Sequence, residues 1–222
     1  PILKTVSFSL FLFEIEIMQD KLKLITQIGR IDLYLLDQLM KGRIHPQMRI
    51  LDAGFGHGRN AQYFIEKDFD IWGIDRNPEA KTVIDELMNY WNPNYDKSKF
   101  NVGGLEKMPF PNAHFDFVIS SAVLHFANDR AHFIQLFEET VRVLKPNGIF
   151  WFRMTTKHTL EQHAKHLYDD IYDLPDGSMR YLLDLDVLKE LMKKHNLEFL
   201  DPFKTVNVAN LRTMAVVVLQ KN

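Results

Sequence analysis

From Met48 to Met154 short apolar runs alternate with stretches of helical spacing, and few folds accept that order. The segments "MRILDA" (48–53), "DIWGID" (70–75), "KFNVGG" (99–104), "FDFVISS" (115–121) and "GIFWFRM" (148–154) read as strands. Between them, "GRNAQYFIEK" (58–67), "PEAKTVIDELMNYW" (78–91) and "DRAHFIQLFEETVRVL" (129–144) read as helices, with Pro78 suited to a first turn and Asp129 to a start. Strands joined by helical crossovers form a parallel sheet covered on both faces, so the chain predicts an α/β fold. Farther on, "DLDVLKELMKKHN" (184–196) predicts another helix, and strands are expected near 197–206 and 212–220. Their connection is too short for a crossover, which makes them an antiparallel hairpin at one sheet edge. Ahead of the sheet, Leu24, Ile28, Ile31, Leu35 and Leu39 recur at helical spacing and Gly42 suits a helix end, so one or two helices precede it.

The first strand runs into "LDAGFGHGRN" (51–60), where Gly54, Gly56 and Gly58 stand two apart. Glycine allows a sharp turn and a close approach of backbone to a ligand, and open α/β sheets bind ligands beyond the carboxyl ends of their strands. The spacing departs from the Gly-x-Gly-x-x-Gly dinucleotide fingerprint, and the Gly-Lys-Ser/Thr ending of a phosphate loop is absent. Asp52 beside the loop disfavours a phosphate and suits a ligand with an ammonium group. The next strand ends at Asp75, whose carboxylate can accept from both hydroxyls of a ribose. Together these features read as a site for an adenosine-type ligand without a pyrophosphate. A ligand-free structural turn is the competing reading of the glycines alone.

At this point the chain resembles the class I S-adenosylmethionine-dependent methyltransferases. "ILDAGFGHGRN", "IWGIDRNPEA", "GGLEKMPFPNAHFDFVISSAVLHF" and "ETVRVLKPNGIFWF" look like that family's motifs in order, over about residues 48–155. The resemblance implies a Rossmann-like seven-stranded sheet of order 3-2-1-4-5-7-6 with the seventh strand antiparallel. It implies S-adenosylmethionine as cofactor, with S-adenosylhomocysteine as product. Carried over position by position, Gly54, Phe55 and Gly56 lie along its methionine part, and Asp52 holds the loop or the ammonium group. Asp75 binds the ribose, Arg76 packs near the adenine, Leu105 offers it a backbone N–H, and Ser120 lies under the amino-acid part. Two positions depart from the family. Gly104 stands where many relatives place an aspartate that accepts from the adenine amino group, and Phe55 replaces a small residue or cysteine.

Methyl transfer asks a protein chiefly to align donor and acceptor and exclude water, with proton removal where needed. His125, just past the fourth strand, is the candidate general base, against the plainer reading of a histidine in a structural hydrogen bond. His163 and His166, three apart, could share a helix face and hold a metal, but a solvated polar helix is the plainer reading and no metal site is expected. His158 lies in the same polar stretch. Insertions after the fifth strand often cover the substrate in this family, so 155–183 is a candidate lid with Tyr172, Arg180 and Tyr181 as candidate substrate contacts. Arg30, Lys41 and Arg43 are candidates to pair with the cofactor carboxylate, with a solvated surface role as the alternative. Phe64, Phe69, Trp72, Phe115 and Phe117 are expected in the core, whereas Trp91 and Tyr95 fit surface packing equally well.

Composition narrows the function. A net charge of −2 argues against a standing attraction to nucleic acid or anionic membrane. With no cysteine, disulfides, thiolate metal sites and cysteine nucleophiles are excluded. "SSAV" follows the fourth strand where an Asn/Asp-Pro-Pro-aromatic motif would signal methylation of base amines. The expectation is therefore a cytoplasmic methyltransferase, monomer or homodimer, acting on the oxygen, nitrogen or sulfur of a small molecule. The alternatives are a cofactor-binding relative without turnover and a nicotinamide-dependent oxidoreductase. Residues 18–222 are expected to form one domain, with 18–47 as a helical cap. The apolar stretch within 1–17 is interrupted by Glu14 and Glu16 and is too short for a membrane span. It reads either as sequence ahead of a natural start at Met18 or as an extra strand or dimer arm.

Overall fold

The computed structural model describes residues 27–158 and 164–222. The expectations for residues 1–17, Leu24 and His163 lie outside them. Helix α1 spans Leu33–Met40, and Asp32 caps it by accepting from the Tyr34 N–H at 3.0 Å. There follow β1 (Arg49–Ala53), α2 (Ala61–Glu66), β2 (Asp70–Asp75), α3 (Pro78–Trp91), β3 (Phe100–Val102) and β4 (Phe115–Ser121). Helix α4 (Arg130–Val143) leads straight into β5 (Leu144–Thr155). Three short strands come next: β6 (Lys165–Tyr168), β7 (Ile171–Asp173) and β8 (Met179–Tyr181). The chain closes with α5 (Leu185–Lys194), β9 (Leu197–Phe199), β10 (Lys204–Val208) and β11 (Arg212–Lys221).

The main sheet has the order β10-β11-β5-β4-β1-β2-β3. Strands β1 to β5 run parallel, and β11 lies antiparallel to β5. This is the doubly covered sheet with a C-terminal hairpin read from the sequence. It differs at the edge, where β9 and β10 both pair with β11 and make the sheet eight-stranded. Between them the ladder is broken at Asp201–Phe203. Pro202 has no N–H to donate, and Asp201 turns its carboxylate to Gln38, Lys41 and Arg43 instead.

Each face of the sheet carries a core. On one, Phe133, Phe137 and Val141 of α4 and Leu188 and Leu191 of α5 pack on Leu51, Phe115, Phe150 and Phe152. On the other, Leu35 of α1, Phe64 of α2 and Ile84 and Met88 of α3 cover Ile50, Ile71, Phe117 and Trp151. Phe64, Phe69, Phe115 and Phe117 are buried as expected, and Trp72 is partly so. Tyr95 is buried rather than a surface residue: its hydroxyl accepts from the Ile71 N–H at 2.9 Å and donates to the Phe69 carbonyl at 2.6 Å.

Residues 165–181 form a separate antiparallel sheet, β6-β7-β8. The helical reading of the stretch around His166 is corrected here, because His166 lies on β6 with Nε2 2.7 Å from the Asp169 carbonyl. Asp170, in the β6–β7 turn, is buried and takes Arg130 of α4 at 2.8 Å and Lys157 at 3.2 Å. Tyr181 is fully buried and stacks on Phe133 of α4 with ring centroids 4.6 Å apart. Thus the small sheet is fastened to the main domain through a charged clasp and a ring stack. Tyr181 belongs to the core, not to a substrate surface.

Candidate functional site

A cleft of about 340 Å³ opens beyond the carboxyl ends of β1, β2 and β4. Its walls are built by the loop after β1 (Gly54, Phe55, Gly56, Arg59, Asn60), the end of β2 (Asp75, Arg76), Leu105 and Glu106 after β3, the turn after β4 (Ser121, Ala122, Val123, Phe126), and His132 and Leu136 of α4. The size falls within the range of small-molecule sites.

The three glycines of the loop have three separate causes. Gly54 has φ of +90°, and a Cβ there would lie 2.3 Å from the Val123 side chain. Gly58 makes room for Ile84 and Trp91 of α3, 3.0 and 3.1 Å from its would-be Cβ. Only Gly56 faces open space, and there the backbone itself is the wall of the cleft. Its N–H donates to Asp75 Oδ2 at 2.8 Å, while Asp75 Oδ1 receives the Asn77 N–H at 2.9 Å. Two backbone donors therefore fix the carboxylate against the loop. Phe55 lines the cleft, but its ring stacks edge-on against Phe100 at 5.2 Å, in space that Gly73 leaves open.

Of the residues singled out from the sequence, Gly54, Phe55, Gly56, Asp75, Arg76 and Leu105 come together on the cleft wall. Asp52, Ser120 and His125 are buried and do not line it, and neither does the partly exposed Gly104. Asp52 is buried with Oδ2 unpartnered; burial pushes its carboxyl up to about 7, the Asp75 charge adds to this, and Arg59 opposes it. Ser120 is fully buried with an unpartnered hydroxyl. His125 accepts the Thr155 N–H on Nδ1 at 3.4 Å and donates to the Ala122 carbonyl. Burial pushes its pKa down to about 4, with Arg180 and Arg212 adding to the shift. A neutral, buried imidazole turned away from the cleft braces the turn at Ala122, whose φ of 60° is uncommon for a residue with a side chain.

The cations lie elsewhere than expected. Lys41 and Arg43 are committed to Asp201, and Arg30 is exposed outside the cleft wall. Arg59 enters the cleft from the glycine loop, as Arg76 does from the end of β2. It donates to Asp32 at 3.1 Å and to the Ser121 hydroxyl at 3.2 Å. Asp32, buried, also takes Arg153 of β5 at 2.9 Å, and its N–H donates to Asn60 Oδ1 at 2.9 Å. Two guanidiniums thus share one carboxylate at this wall. Sequence reasoning also passed over Glu106 and His132, which meet at 3.0 Å. "GHGRN" placed Arg59 in the ligand loop, but only the fold brings α4 over "GGLEK".

Residues 51–152 match a family described as "Methyltransferase domain". Malonyl-[acyl-carrier protein] O-methyltransferase of Serratia marcescens is 22% identical over 175 residues, which are 78% of this chain and 63% of that protein. A ubiquinone/menaquinone biosynthesis C-methyltransferase of Laribacter hongkongensis is 31% identical over 113 residues, 47% of this chain and 42% of that protein. Among solved structures, 1,6-didemethyltoxoflavin-N1-methyltransferase of Burkholderia thailandensis superposes with a TM-score of 0.63 at 16% identity, covering 97% of this chain and 89% of that one. This chain is similar to that methyltransferase domain over a little under half of its length. The chain spans less than two thirds of the length of both of these relatives.

Proposed function

We propose that the protein binds S-adenosylmethionine in the cleft and transfers its methyl group to a small-molecule acceptor. The observation that carries this is Asp75, held by Gly56 and Asn77 N–H groups at the end of β2 beside a glycine whose missing side chain leaves the cleft open. A carboxylate so fixed is preorganised to accept from two adjacent ribose hydroxyls. Gly54, Phe55 and Gly56 would run along the methionine part. Arg59, which shares Asp32 Oδ2 with Arg153, suits its carboxylate. Arg76 and Leu105 would hold the adenine, and Asp52 and Ser120 would support the loop from behind. The cofactor supplies a methyl group on a sulfonium, an electrophile that needs no further activation. The chain's own work is alignment and exclusion of water, by Val123, Phe126 and Leu136.

His125 is turned from the cleft, and His132 is bonded to Glu106. This favours an acceptor that is nucleophilic without a protein base, such as a carboxylate, thiolate or free amine. The relatives' names include both O- and C-methyltransferases, so the acceptor atom is set by experiment. Titration calorimetry with S-adenosylmethionine and S-adenosylhomocysteine tests the reading. Wild type should bind near micromolar, about 8 kcal/mol, and Asp75→Ala should weaken binding at least about tenfold. Binding of a nicotinamide cofactor in place of both would overturn it; binding without methyl transfer to any acceptor would leave a cofactor-binding module.

A further inference from the structure

We propose that Arg180 binds a carboxylate on the methyl acceptor, so that the substrates of this cleft are monoanions built on an apolar body. This rests on the methyltransferase reading above. Phe126 lines the cleft and remains 45% exposed. The Arg180 guanidinium lies over its ring, 4.6 Å from the centroid. The ring holds the cation there without using its N–H groups. Of those donors, Nη1 reaches the Met179 carbonyl at 2.6 Å. Among the described residues, no carboxylate pairs with Arg180. A fork that matches the two oxygens of a carboxylate is therefore open beside the mouth of the cleft.

The fold both aims this cation and leaves its charge unbalanced. Tyr181, next along β8, is fully buried against Phe133. Side chains alternate along a strand, so the packing that fixes Tyr181 turns Arg180 to the opposite face. There Arg180 stands in register with Tyr172 of β7, and Tyr172 with His166 of β6, a row without a carboxylate. Arg180 and Arg212 face one carboxylate, Asp176 in the β7–β8 turn, whose bond goes to Arg212 at 2.8 Å. The group keeps one positive charge in excess. Its field reaches His125, packed on Phe126 with ring centroids 4.7 Å apart, which is kept neutral first by burial and next by Arg180. One unbalanced cation beside the apolar wall of Val123 and Phe126 suits one negative charge on an apolar body. The carboxylate so held is a handle rather than the methylated group, because oxygens that accept from a guanidinium are weaker nucleophiles.

The test is calorimetry with phenylacetate and phenylacetamide, probes of one shape that differ by a charge, on protein saturated with S-adenosylhomocysteine. Wild type should bind the acid about tenfold tighter than the amide. Arg180→Gln should bring the ratio to about twofold or less. Arg180→Lys should keep about threefold, since an ammonium restores the charge without the fork. Thermal melts read the folding of each variant. Equal binding of acid and amide by wild type, failure of both probes to bind, or an acid preference that survives Arg180→Gln overturns the assignment. Loss of S-adenosylhomocysteine affinity in Arg180→Gln gives the residue to the cofactor and overturns it equally. Titration of wild type with S-adenosylhomocysteine alone separates the two readings: no binding there removes the cofactor reading, whereas binding without an acid preference removes only the role of Arg180.

Discussion

Asp52 shows how one residue carries information that its sequence context hides. The strand-end carboxylate was readable beside the glycines, but its burial was not. With the folded carboxyl at about 7 against 3.8 in the open chain, the native state holds the proton longer. Stability from this group is full below about pH 4 and is lost as pH rises through 7. Asp52→Asn has no such loss, so relative to wild type it should gain up to about 4 kcal/mol between pH 4 and pH 8. Urea denaturation at the two pH values checks this; a constant difference between the proteins would contradict it. The same limit applies to His125. Its place after β4 was legible, but its orientation depends on Thr155 and Ala122, which only tertiary structure brings to it.

Among the elements, the strands with apolar runs were legible because burial on both faces demands such runs. The segment 164–181 was not. Strand β6 is exposed along its whole length and carries no buried-strand signal. Its place is set by Asp170, which reaches Arg130 and Lys157, residues distant in sequence. Burial pushes the Asp170 carboxyl up, but its bonds to Arg130 and Lys157 outweigh this and hold it below the usual range. Its contribution is therefore present above about pH 4 and disappears as pH falls through the folded value. At neutral pH Asp170→Asn should cost about 2 kcal/mol, a figure reduced for the exposure of Arg130. Amide exchange over 165–181 should quicken about tenfold or more while the central strands stay protected. Uniform acceleration across the sheet would show that the clasp serves the whole core instead.

For the whole molecule, the motif order and hairpin position were enough to anticipate the sheet, since crossover rules leave few alternatives. The eighth strand escaped because a single stretch, 197–206, becomes two strands on either side of Pro202. The join between the small sheet and the main core was equally hidden, resting on Tyr181 against Phe133. Tyr181→Ala should lower stability by about 3–4 kcal/mol in chemical denaturation, whereas Tyr181→Phe should cost less than about 1 kcal/mol, since its hydroxyl lies 3.4 Å from Asp170. Equal losses would place the weight on the hydroxyl. The broken ladder beside β11 has a consequence for crowded solutions. A long straight border would offer successive unpaired peptide groups to a neighbouring molecule and seed fibrils. Here the border is cut into pieces of three and five residues by an imino acid and a carboxylate that faces inward to α1. The interruption acts as a guard against polymerisation, written into the chain at the place where the sheet would otherwise continue.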